Sequence, residues 1–220
     1  MEYRADTMKE NINALKSGYK RFREVDFKKN QTRFIELVQN GQSPKALFIG
    51  CSDSRVVPEI IMDSQPGDLF ITRNIGNFVP PFKDNEDFHA TAAAIEYAVS
   101  ILGVNDIIVC GHSHCGAINA LFTPPKVSNN LEIIHTLKWL ELGMAAKNDV
   151  ENVFFGASDD IKQSATEKLS IIYQLENLLT YPAIKDKVSK KELFLHGWYY
   201  EIESGTISYY DDKSDRFEPL

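Results

Sequence analysis

Three short apolar runs limit what this chain can fold into. They are "KALFIG", which runs into Cys51, "LFITRN" at residues 69–74, and "DIIVCG", which runs into His112. Apolar runs of this length, closed by glycine or polar residues, read as buried strands. Between the last two lies "DFHATAAAIEYAVSILGV", with apolar residues at Phe88, Ala92, Ile95, Val99 and Leu102. Steps of three and four form a helical stripe, with Asp87 placed to cap its start and Gly103 to end it. "VVPEIIMDSQPGD" reads as a short helix and turn, and "AINALF" begins a helix after the third strand. Strands alternating with helices imply an α/β fold, a mainly parallel β-sheet flanked by helices.

The flanks fit that frame. "QTRFIELVQNG" reads as a helix stopped at Gly41, preceded by a charged helical segment, giving an N-terminal helical arm over 1–33. The pair of prolines at 124–125 breaks the pattern. "NNLEIIHTLKWLELGMAAK" and "DDIKQSATEKLSIIYQLENLLTY" read as two amphipathic helices, and Pro182 stops the second or opens a new turn. "KELFLHGWYYEIESGTISYYD" reads as strand, turn at Ser204-Gly205, strand. The acidic tail "DDKSDRFEPL" receives no assignment. With 220 residues and no repeat or low-complexity linker, residues 1–220 are expected to form a single domain.

Ligands in such sheets gather at the carboxyl ends of the strands. Two of those ends carry reactive residues: "CSDSR" at 51–55 and "CGHSHC" at 110–115. If these strands are neighbours, Cys51 meets His112 and Cys115, a Cys₂His set of the kind that holds zinc with one position open. An isolated HxxC is usually incidental, and a cysteine ending a strand is usually core. Their joint occurrence at two strand ends points to a metal. Cys110 reads as buried packing. His114, between the two candidate ligands, reads as a hydrogen-bonding residue instead.

"CSDSR" followed by "GHSHCG" resembles the β-class carbonic anhydrases, whose signatures are CxDxR and HxxC. "GQSPK", "QPGDLFITRNIGNFVPPF", "AAAIEYAVSILGVNDIIVCGHSHCGAI" and "LHGWYYEIESGTI" look like that family too, from about Phe34 to Tyr209. The resemblance implies a zinc enzyme that interconverts CO₂ with bicarbonate and a proton, through attack by zinc-bound hydroxide. It implies one Zn²⁺ per chain, held by Cys51, His112 and Cys115. It makes Asp53 and Arg55 a catalytic pair. It assigns Gln42, Phe70, Tyr97 and Gly116 to substrate binding, with Gln42 reaching across a dimer interface. It also implies a homodimer or homotetramer. If Arg55 lets go, Asp53 can turn onto the metal and close the site. Phe48 lacks the indole donor that members with a regulatory bicarbonate site carry there, which favours an open site.

Other readings are weighed by their residue needs. CS₂ or COS hydrolysis would use the same nucleophile. A non-catalytic zinc-stabilised module would need neither Asp53 nor Arg55. Arg73 reads as structural, Ile75 as pocket wall, His135 and His196 as surface or packing, and His89 as exposed or as a proton shuttle near the pocket. The net charge of −7 speaks against broad capture of nucleic acid or anionic membrane. No apolar run reaches membrane-spanning length and no signal core is visible, so a cytoplasmic protein is expected.

Overall fold

A computed structural model of the chain describes residues 2–84, 88–127 and 129–220. The backbone divides into two units, residues 1–42 and 43–220. The first holds helices α1 (Glu2–Glu24) and α2 (Asp26–Asn40), so α2 continues past residue 33. Within it, Phe27 stacks on Phe34 at 5.6 Å, and Arg23 sits 4.6 Å over the Phe27 ring. Gly41 ends α2 at φ +79°, a conformation open to glycine at little cost.

The second unit begins with β1 (Ala46–Cys51), α3 (Pro58–Ile61), β2 (Leu69–Asn74), α4 (Ala90–Glu96) and β3 (Asp106–His112). It continues through α5 (Gly116–Phe122), α6 (Ile134–Leu140), α7 (Met144–Val153), α8 (Asp159–Leu178) and α9 (Pro182–Ser189). The strands β4 (Phe194–Glu201), β5 (Thr206–Asp211) and β6 (Arg216–Pro219) complete it. The six strands form one sheet ordered β2-β1-β3-β4-β5-β6. The first four are parallel to one another, and β5 and β6 add antiparallel. The expected mainly parallel α/β sheet is therefore present. β1 is buried along its whole length, as its unbroken apolar run requires.

Two local expectations differ. Asp87 lies outside the described residues, and α4 starts only at Ala90. Phe88 is fully exposed rather than on the stripe. The stripe ends in a π-helical turn, Tyr97–Leu102, closed by Gly103 in the left-handed region. The helix expected over 129–147 is also broken. Short 3₁₀ turns at Asn130–Ile133 and Glu141–Gly143 flank α6. At Gly143 an added Cβ would lie 2.7 Å from Phe78 Cζ and 2.8 Å from Leu121 Cδ1, so the chain bends where two side chains crowd its backbone. The acidic tail supplies β6, paired through Tyr209↔Glu218 and Tyr210↔Phe217.

Helix α8 docks through an inward face that includes Ile171 and Leu178. Ile171 is fully buried and fills the space that two glycines leave on neighbouring strands. A Cβ on Gly111 would meet Ile171 Cδ1 at 2.8 Å, and one on Gly197 would meet Ile171 Cγ2 at 2.9 Å. This knob sets which turn of α8 faces the end of β3. Ile171→Ala should cost about 2–5 kcal/mol in denaturant unfolding, because the cavity between two backbones cannot collapse. A loss below ~1 kcal/mol would contradict this packing role.

Candidate metal centre

The parallel pairing of β1 with β3 aligns Gly50 with Cys110, so Cys51 and His112 end adjacent strands. Beyond Cys51 the chain turns sharply and is clamped from β2. Ser52 N–H donates to the Asn74 carbonyl at 2.8 Å. Arg73 Nε donates to the Cys51 carbonyl at 2.8 Å and Arg73 Nη2 to the Asp53 carbonyl at 2.6 Å. Arg73 is thus structural, as expected, and it works by gripping backbone. The Gly76 N–H donates to Cys51 Sγ at 3.4 Å. Gly76 has φ +79°, and a Cβ there would meet Ala117 Cβ at 2.9 Å, so both conformation and space require glycine.

On the β3 side, Ser113 N–H donates to the Tyr200 carbonyl at 3.0 Å. Ser113 Oγ accepts from Ile202 N–H at 2.9 Å. His114 takes a left-handed backbone, φ 54°. Its ring lies exposed, with Nε2 2.5 Å from Glu203 Oε1. It therefore stands outside the Cys₂His group, as the reading of it as a hydrogen-bonding residue requires. Cys110 is buried beside Phe48 and Ile108, and burial pushes its thiol up to about 12.

Cys51 Sγ, Cys115 Sγ and a His112 ring nitrogen lie within 4.8 Å of one another, and all three residues are buried. His112 Nδ1 is 2.9 Å from the Ser113 carbonyl, which can only accept, so Nδ1 carries the proton. Nε2 is left as a bare acceptor. Among the described residues it is the one buried side-chain polar atom with no hydrogen-bond partner. A buried acceptor without a partner is costly unless something binds it. Two sulfurs and one imidazole, with the second ring nitrogen anchored, form a donor set that suits zinc. The two thiols also face each other. The hydrogen bond from Cys115 draws Cys51 down, while donating that bond drives Cys115 up and burial adds to it.

Beside this group, Arg55 grips Asp53 with a two-pronged bond, Nε to Oδ1 at 2.9 Å and Nη2 to Oδ2 at 2.7 Å. The Arg55 backbone N–H adds a third bond to Oδ1 at 3.0 Å. The guanidinium holds the Asp53 carboxyl well below the usual carboxylate range. Arg55 Nη2 also donates to the His114 carbonyl at 3.0 Å, which ties the two loops together. Gly116 follows Cys115, and the position its Cβ would occupy is open space. Ile75 is half-exposed, and its carbonyl accepts from Trp139 Nε1 at 2.7 Å. His89 is exposed beside the Trp139 ring, 5.6 Å between centroids.

Phe70 and Tyr97 lie away from this group. Phe70 pairs with Leu47, four residues before Cys51, or about 13 Å back along the strand. Tyr97 stacks on Phe70 at 5.8 Å and is 42% exposed. Gln42 is exposed at the end of the first unit. One buried residue escaped the sequence reading altogether. Glu167, 4% exposed, accepts a hydrogen bond from Cys115 N–H. Its signal was a polar run, Thr166, Glu167, Ser170 and Gln174, on the face of α8 that turns inward.

Comparison with known proteins supports one family. The carbonic anhydrase family model matches residues 46–207. A carbonic anhydrase of Synechocystis is 41% identical over 195 residues, 88% of this chain and 69% of that protein. One from Pseudomonas aeruginosa is 39% identical over 92% of this chain and 89% of its own length. Among solved structures, the β-carbonic anhydrase CcaA superposes with a TM-score of 0.88 at 37% identity, covering 96% of this chain and 92% of its own. A structure described as one of two tetrameric β-carbonic anhydrases from Sordaria macrospora gives 0.69 at 28% identity, over 99% and 97% of the two chains. Taken with the buried sulfur–imidazole group, these matches mean that the chain belongs to the β class of the carbonic anhydrases, enzymes that use zinc.

Proposed function

We propose that this carbonic anhydrase catalyses the reversible hydration of CO₂ to bicarbonate and a proton, with Cys51, His112 and Cys115 as its zinc ligands. The observation that carries the proposal is the unpartnered, buried His112 Nε2 facing two thiols, beside a carboxylate already held by a guanidinium. Bound zinc would supply the Lewis acidity that makes a water nucleophilic near neutral pH. The protein supplies orientation. Asp53, kept ionised by Arg55, can only accept hydrogen bonds, so it turns the attacking water's lone pair toward CO₂. The forked Asp53–Arg55 pair supports an open site, because a carboxylate with both oxygens engaged is not free to displace that water.

The offset of Phe70 and Tyr97 from Cys51 supports a pocket completed by a second copy of the chain, with Gln42 contributed in the same way. Gly116 leaves room for substrate beside its N–H. The relative described as tetrameric supports a homo-oligomer, dimer or tetramer. Three free thiols suit a reducing compartment, and we read the protein as cytoplasmic. Among the described residues no helix is long and apolar enough to cross a membrane.

The deciding experiment is stopped-flow CO₂ hydration by zinc-loaded protein. Rapid turnover is expected at pH ~8.5 and still measurable at ~7, with kcat/KM rising between pH ~6.5 and ~9. The rise follows from two thiolates cancelling the metal's charge, which leaves the water less acidic than three neutral ligands would. A flat profile would count against that charge argument. No hydration with zinc bound would overturn the assignment and put CS₂ or COS hydrolysis first. His112→Ala should lose stoichiometric zinc while His114→Ala keeps it; the reverse pattern would mean the wrong histidine was chosen. Arg55→Ala should retain zinc and lower kcat/KM roughly 10–100-fold, since Asp53 loses its orientation. Wild-type kinetics in that variant would remove the pair from the mechanism.

A further inference from the structure

Glu167 plays no part in the mechanism above, yet it is a carboxylate buried beside the proposed ligands. One oxygen accepts from Cys115 N–H at 2.9 Å and from Gln163 Nε2 at 3.2 Å. The other accepts from Tyr199 OH at 2.9 Å. These three donors are neutral, so they satisfy the carboxylate without cancelling its charge. Burying a charge so is expensive, and an apolar side chain would pack α8 against the sheet at less cost. The carboxylate's distinctive offering here is a strong acceptor for a backbone N–H. That N–H belongs to the residue whose Sγ faces Cys51 and His112.

The tethers of the loop divide the work. Tyr200 and Ile202 hold Ser113, and Arg55 holds the His114 carbonyl. The Cys115 peptide is fixed at its N–H by Glu167, and its carbonyl accepts from Asn119 N–H at 2.9 Å as α5 begins. Glu167 stands one helical turn before Ile171, the knob seated between Gly111 and Gly197. The docking of α8 therefore delivers this acceptor to the loop. A cavity of about 120 Å³, lined in part by Glu167, Gln163, Ser113 and Tyr199, adjoins it on the side of α8 and β4.

We infer that Glu167 is a positioning residue for the metal centre: its buried carboxylate locks the Cys115 peptide so that the Cys115 sulfur is aimed at the metal before the metal arrives. This rests on Cys51, His112 and Cys115 being the ligands. The test uses full-length holoprotein of the wild type, Glu167→Gln and Glu167→Ala, with circular dichroism to verify folding. The readouts are the rate of zinc release to a chelator and the thiolate-to-metal absorption bands of cobalt-substituted protein. Glu167→Ala should release zinc about 10–100-fold faster and shift the cobalt bands. Glu167→Gln keeps a weaker, uncharged acceptor, so it should fall between, about 3–10-fold faster than wild type. A folded Glu167→Ala with wild-type release and bands would overturn the inference, even with a lowered melting temperature. Should Glu167→Ala fail to fold, a Glu167→Gln protein with unchanged release and bands would overturn it equally. A wild-type protein lacking thiolate–cobalt bands would overturn the ligand set and this role together, whereas normal wild-type bands with unmoved variants would fault Glu167 alone.

Discussion

The parallel backbone ladder between β1 and β3 carries everything built at the metal centre. Parallel strands start and stop in the same direction, so pairing Ala46 with Asp106 through to Gly50 with Cys110 puts both carboxyl ends at one edge. A cysteine ending one strand and a histidine ending the next are then neighbours without any further device. The ladder is strong because both strands lie in the apolar interior, where each unpaired peptide group would be costly. Slipping the register would pull Cys51 away from His112 and exchange Leu47 and Ile49 with Ala46 and Phe48 between the two packed faces of the sheet.

Around that edge, short polar contacts trade flexibility for orientation. Arg73 grips two carbonyls of the 51–53 turn, Arg55 joins that turn to His114, and Glu167 reaches the Cys115 N–H from α8. Each uses a charged side chain to hold backbone or a carboxylate, and such bonds are shorter and stronger than neutral ones. Charge is spent here on geometry. The core beneath is held by apolar packing, with Ile171 seated between two glycines as its most specific feature.

Much of this was legible in the sequence. The three apolar runs became β1, β2 and β3, the C-terminal strand–turn–strand became β4 and β5, and Cys51, His112 and Cys115 came together. Asp53 and Arg55 were legible as a pair through the resemblance to the β class, and their spacing of two lets the side chains meet at the turn. Continuity of the helix over 129–147 was not, since at its second interruption Phe78 and Leu121, distant in sequence, crowd Gly143. The start of α4 was misread because Phe88 matched the apolar spacing while its side chain found nothing to pack on. β6 went unassigned because a short, charged edge strand has no hydrophobic signature and exists through pairing with β5.

By itself the sequence determined the α/β class, the family, the three candidate donors and the Asp53–Arg55 pair. The class and the donors follow from periodicity and from reactive residues placed at two strand ends, and the family and the Asp53–Arg55 pair from the resemblance of the motifs to the β class. The tertiary structure decided that His114 turns outward, that Phe70 sits four residues back from Cys51 with Tyr97 stacked on it, and that Glu167 reaches the Cys115 N–H. Those outcomes depend on which turn of a helix docks over which point of the sheet. That choice is made by side chains meeting backbone across the core, Ile171 against Gly111 and Gly197, and no pattern along the chain records it.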